Sequence, residues 1–139
     1  MNVYLSFDGR CAEALDFYAA CLGGQVLMKV SYADAPPGNE PVPEALRQRL
    51  MHGRIAARGM LLMGSDIPPD QTFEGYKGFQ VSVQTEDTDE GRKIFDALAA
   101  GGTVQMPYAK TFWSPGFGML VDKFGVGWMV NSEPPQANS

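Results

Sequence analysis

Histidine occurs once in the chain, at His52. One imidazole is enough for a general base or for a triad, but most zinc sites draw on several His or Cys. The count therefore narrows both metal and acid–base chemistry. His52 is the candidate catalytic residue, acting as a base or as a hydrogen-bonding group of a cavity. Asp66 or Glu74 could complete a dyad with it, although spacing alone cannot test this. Arg54 and Arg58, two and six residues further on, could share its strand face, to bind an anion or to form exposed ion pairs. Cys11 and Cys21 are the two cysteines. On one helix they would stand about 15 Å apart, and a disulfide needs Cα atoms within about 7 Å. Both are read as reduced thiols of a cytoplasmic protein, packed as small apolar groups.

A second set of residues could hold a flat or apolar ligand. Phe112, Trp113, Phe117 and Trp128 lie close in sequence, as a stacking wall or as core. Trp113-Ser114-Pro115-Gly116 falls between two strands, where a turn could bring Trp113 to a cavity mouth. Met60, Met63, Met119 and Met129, among eight methionines, suit an adaptable cavity and an ordinary core equally. Asp122-Lys123-Phe124-Gly125 reads as a turn, with Asp bonding its own following backbone.

These residues need elements to position them. Val3–Asp8 alternates apolar and polar residues, and so does Phe79–Gln84, 76 positions later. That period is a strand with one buried face. Helical patterns follow at Cys11–Leu22 and Thr88–Ala100, the second opening on a capping box of Asp87 and Glu90. Each stops at a glycine pair, Gly23-Gly24 or Gly101-Gly102. Three more strands follow in each half: Gln25–Tyr32, Met51–Arg58 and Met60–Ser65, then Thr103–Phe112, Phe117–Asp122 and Gly127–Ser132. Tyr32-Ala33 and Tyr108-Ala109 keep the spacing of 76.

The chain is therefore expected to be α+β, one domain over 1–139 made of two tandem βαβββ modules, about 1–70 and 76–133. A lone unit of this kind covers one sheet face with its helix and leaves the other bare. Two bare faces can form a curved sheet around a cavity. The alternation puts Val3, Leu5, Phe7, Phe79, Val81 and Val83 under the helices. It turns Tyr4, Ser6, Gln80 and Ser82 into the cleft, where they become the ligand-binding candidates with Phe112 and Trp113. The main asymmetry is Ala35–Leu50. Pro36, Pro37, Pro41 and Pro43 mark a loop, and Pro43 could start a short helix with Leu46 and Leu50 on one face. That segment is a surface excursion, a lid or a dimer contact. The tail from Pro134 to Ser139 is polar and expected to fray.

Length and composition fit this scheme. At 139 residues the chain can bury a core without staples, and with 45% hydrophobic and 19% charged residues it is not a disordered protein. A net charge of −5 argues against binding nucleic acid or an anionic membrane surface. Met1–Phe7 lacks the basic leader and apolar run of a signal peptide, and no stretch approaches the length of a membrane span.

Local words carry a family resemblance. Tyr4-Leu5-Ser6-Phe7-Asp8-Gly9 with Ala14-Leu15-Asp16-Phe17-Tyr18 resembles the opening of the PhnB-like branch of the vicinal oxygen chelate superfamily. That superfamily holds glyoxalases, bleomycin-resistance proteins and extradiol dioxygenases. Met51-His52-Gly53 leading to Leu62-Met63-Gly64-Ser65-Asp66 is similar to it as well. So is Thr111-Phe112-Trp113 running on to Gly118 and then to Asp122-Lys123-Phe124-Gly125-Val126-Gly127-Trp128. The resemblance implies paired βαβββ modules, a bacterial homodimer and a cavity. The methyltransferase label some of this branch carries finds no support in a Rossmann strand with a glycine-rich turn.

Metal-dependent members take His, Glu or Gln ligands from the first and last strands of each module. Here those strands offer Asn2, Tyr4 and Ser6, Met60 to Met63, Gln80 and Ser82, and Trp128 to Asn131. A register slipped by one residue would offer Val3, Leu5, Phe79 and Val81 instead; neither register supplies a His or a carboxylate, and Gln80 alone would not hold a divalent cation. No cofactor is expected, with a divalent metal the disfavoured alternative. Three readings follow: a metal-free protein that binds a small, partly aromatic molecule; a glyoxalase- or dioxygenase-type enzyme with an unconventional metal or a His52-based site; and a structural or regulatory dimer.

Overall fold

The computed structural model describes residues 2–34, 44–68 and 70–133. The four loop prolines of the Ala35–Leu50 segment and the tail from Pro134 lie outside the described residues. The chain divides into two compact units, Met1–Glu74 and Gly75–Ser139.

The first unit runs β1 (Val3–Phe7), α1 (Cys11–Leu22), β2 (Gln25–Ser31), a 3-10 turn (Tyr32–Asp34), α2 (Glu44–Arg47), β3 (Leu50–Ala57) and β4 (Met60–Asp66). The second runs β5 (Val81–Thr85), α3 (Thr88–Ala99), β6 (Thr103–Ala109), β7 (Gly116–Val121) and β8 (Gly127–Ser132). Each unit is thus βαβββ, and its four strands form one open sheet. The orders are β1-β4-β3-β2 and β5-β8-β7-β6, with the first strand parallel to the last and the remaining pairs antiparallel. The expected α+β architecture of two tandem units is what is found.

In each unit the helix covers one face of the sheet. Leu5, Phe7, Ile55 and Leu62 are buried with Cys11, Leu15 and Tyr18 of α1. Val81, Val83, Leu120, Trp128 and Val130 are buried with Ile94, Phe95 and Leu98 of α3. Each such side chain, fully buried, stabilises by roughly 1.5–3 kcal/mol, so this single face per unit outweighs the modest contribution of helix propensity. Gly23 ends α1 in the left-handed conformation, at φ 69°, and its N–H bonds back to the Ala19 carbonyl. Asp87 caps α3 by accepting from Asp89 N–H.

Several boundaries differ from the sequence expectation. Phe79 is not under α3: it precedes β5, is 43% exposed and packs edge-on against Tyr76. The reason is that β8 begins at Gly127, so β5 finds a ladder partner only from Val81. The first strands are related by 78 positions, Val3 to Val81, not by 76. The second strand of the second unit, β6, ends at Ala109, short of the expected Phe112, because Thr111 starts a side-chain turn. Its hydroxyl accepts from Trp113 and Ser114 N–H, which places Phe112 and Trp113 in a loop. Leu50 is buried at the start of β3 and shares no helix with Leu46, which lies in the one-turn α2.

Candidate functional site

A sheet covered on one side leaves its other side available, and alternation decides what stands there. In the first unit the register aligns Tyr4 with Met63, Met63 with Arg54, and Arg54 with Met28. The adjacent row holds Ser6 beside Ser65 on β1 and β4, and Val30 beside His52 on β2 and β3. A register shift between Val30 and Ser31 turns Leu50 back to the helix side while His52 stays on the open one. The expectation that Tyr4 and Ser6 avoid the helix therefore agrees with the sheet: Tyr4 is 52% exposed.

Tyr4 and His52 are brought together. Their rings stack with centroids 5.9 Å apart and planes 28° from parallel. The Tyr4 hydroxyl lies 3.5 Å from His52 Nδ1, at the outer limit for a hydrogen bond. Arg54 stands two residues from His52 on the same face. The other contacts separate the cations of this unit: Arg10 pairs with Glu13, Lys29 with Asp16, and Arg49 with Asp8. Among the described residues Arg54 has no such partner, and its Nε is buried without a hydrogen bond. Arg58 is not on this face. It sits in the β3–β4 turn with φ 50°, beside Gly59 with φ 80°.

The dyad of His52 with Asp66 does not form. Asp66 is buried on the helix side and both its oxygens are committed to backbone. Oδ1 accepts from Gly9 and Cys11 N–H, and Oδ2 from Leu50 N–H. Asp66 thus ties the start of α1 to the ends of β3 and β4. Glu74 is exposed at the end of the unit. Cys11 is buried next to this carboxylate. Burial first, and the Asp66 charge second, push its thiol up to about 12. It is a poor nucleophile, and both cysteines are free thiols.

In the second unit the open face carries Ser82, Met129, Met119 and Met106 in one row, and Gln84, Asn131 and Phe117 in the next. Gln80 precedes the strand and is exposed, close to Gly127. Gln84 was not among the ligand-binding candidates, and Asn131 was named only within the last-strand run from Trp128. Spacing the first strands by the glycine pairs, Gly23 to Gly101, makes Gln84 the repeat equivalent of Ser6. Asn131 Nδ2 donates to Gln84 Oε1 at 3.1 Å, while Asn131 Oδ1 is buried without a partner. Trp113, 48% exposed, packs against Phe117 at 5.5 Å, and Phe112, 97% exposed, packs against Trp113 at 4.8 Å. Ser114 holds this loop down: its one hydroxyl proton lies within reach of the Gly116 and Ser132 carbonyls, at 2.8 and 2.9 Å. Trp128 is core: its Nε1–H donates to Asp122 Oδ2 at 2.8 Å. Asp122 Oδ1 accepts from Phe124 and Val126 N–H, which makes the expected turn.

The donor set on the two open faces is one imidazole, one guanidinium, amides and hydroxyls. The strands of the first unit contain a single acid, Asp66, and it faces the other way; those of the second contain none. Among the described residues no group of three or more His, Cys, Asp or Glu could hold a metal ion. These residues do not fit a tightly held divalent cation.

Comparison with known proteins gives the class. Residues 1–130 match the Glyoxalase/Bleomycin resistance protein/Dioxygenase superfamily, and the chain belongs to that superfamily. Within it the chain is PhnB-like. It is 35% identical over 138 residues to Protein YjdN of Escherichia coli (strain K12), covering 94% of this chain and 93% of YjdN. The crystal structure of protein PA1353 from Pseudomonas aeruginosa is similar at 40% identity and TM-score 0.87, over 96% of this chain and 97% of that one. The PhnB protein from Bacillus cereus is similar at 26% identity and TM-score 0.73, over 95% and 98%. Among the described residues no helix is long and apolar enough to cross a membrane.

Proposed function

We propose that this protein binds a small, partly aromatic organic molecule on its open sheet faces, without a metal ion. One observation carries the reading. Among the described residues, the buried side-chain polar atoms that lack a protein partner, Arg54 Nε and Asn131 Oδ1, both belong to the open faces. Buried polar groups are normally paired, and leaving one unpaired costs about 1–3 kcal/mol. Within each unit, one unpartnered polar atom standing among methionines suits a ligand with an apolar body and a polar group. The flanking Trp113–Phe117 pair supports an aromatic component.

The test is a thermal-shift screen of small aromatic acids, amides and phenols on the protein as purified. A binder at 100-fold excess over its dissociation constant stabilises by about 2.7 kcal/mol. Hits that Asn131→Ala or Trp113→Ala weaken are expected. A broad screen without a single shift sinks the reading, and stoichiometric metal surviving chelation and dialysis sinks its metal-free part. In the same reading the protein is a cytoplasmic homodimer, supported by its two free thiols and by the family resemblance.

The Tyr4–His52 contact favours a second reading, an enzyme in which His52 takes a proton from a bound substrate. Loss of that base is expected to lower turnover by 10²–10⁴, in order of magnitude. Once a substrate is found, unchanged turnover in His52→Ala would remove this reading.

A further inference from the structure

We infer that the open face of the first unit recognises an oxyanion, a flat organic carboxylate, through Arg54. This rests on the small-molecule reading above and names the chemical class of the ligand. The guanidinium is charged at every accessible pH and can only donate. Its row neighbours are Met28 and Met63, neither of which can accept strongly. Next in that row comes Tyr4, whose hydroxyl is near His52. The one acid of the four strands, Asp66, points to the opposite face and is saturated by three backbone N–H groups. Three other basic side chains of this unit, Arg10, Lys29 and Arg49, have carboxylate partners.

Arg54 is only partly buried, but a buried guanidinium N–H without an acceptor destabilises the folded chain unless something completes it. A carboxylate is the complement in shape, since its two oxygens match two N–H groups of the guanidinium fork. Ser65, on the same face, and the Tyr4 hydroxyl can add neutral donors. The stacked Tyr4 and His52 rings offer a surface for a flat body attached to the acid.

The experiment follows the Arg54 Nε–Hε signal of ¹⁵N-labelled protein by NMR during titration with benzoate, with benzamide as the uncharged match. Benzoate is expected to shift this signal to saturation and to bind about tenfold or more tightly than benzamide, the size of one charge-assisted contact. Arg54→Met is expected to abolish that preference and to melt no lower than the parent chain. The retained fold separates lost recognition from lost structure. Equal binding of benzoate and benzamide, unchanged in Arg54→Met, would overturn the anion site and leave the small-molecule reading standing. No response of the face to benzoate at concentrations of order 10 mM would overturn it as well. The broader reading is decided separately, by the thermal-shift screen.

Discussion

Asp66 and Asp122 show how a carboxylate can be spent on structure. Each is buried, each accepts several backbone N–H bonds, and neither reaches the open face. Asp122 was legible as a turn residue because its partners lie two and four positions on. Asp66 was not, because Gly9 and Cys11 are 57 and 55 positions away; sequence spacing left it free to partner His52. Cys11, beside Asp66, gives a consequence in pH. Its thiol is raised from 9.0 to about 12 in the folded chain. The native state therefore holds this proton more tightly than the unfolded one. The resulting stability is complete below pH 9 and is lost as pH rises toward 12. Urea melts of the parent chain are expected to show this alkaline decline, and Cys11→Ala should flatten it. An unaltered slope in the variant would assign the decline to other groups.

At the level of elements, alternation in Val3–Phe7 and Val81–Thr85 was enough to assign faces, because each strand has one buried side. Strand ends were less legible. They depend on where the partner strand begins, as Gln80 shows, and on local hydroxyl turns, as Thr111 shows. The contact of α3 with its sheet also could not be read from pattern. Thr85, Ser132 and Tyr108 hydroxyls bond to one another under Gly91. A Cβ at Gly91 would collide with Ser132 Oγ and Tyr108 Oη. Gly91→Ala is expected to destabilise by about 1–3 kcal/mol, as overpacking does, despite the better helix propensity of alanine. A denaturation midpoint equal to or above the parent's would show that α3 can shift outward freely.

At the level of the whole molecule, the repeat was visible because both halves follow the same order of elements. The candidate site was visible only in part: Tyr4, Ser6, Ser82 and His52 stand on open faces, whereas Arg54 acquired its meaning only from the absence of a partner among the described residues. The proposed homodimer carries its own outcome. Sedimentation equilibrium should give about twice the 15.1 kDa chain mass, and a monomer at high micromolar concentration would remove the dimer from the proposal.

The parallel pairing of first with last strand also says something about how each unit comes together. Val3 meets Leu62 and Val81 meets Trp128, so the two closures span 59 and 47 positions. Chain-closure entropy grows only with the logarithm of the span, so this difference amounts to about 0.2 kcal/mol. The long connection between β2 and β3 is therefore nearly free in thermodynamic terms. The first unit can carry it, and vary it in length, without the rest of its sheet registering the change.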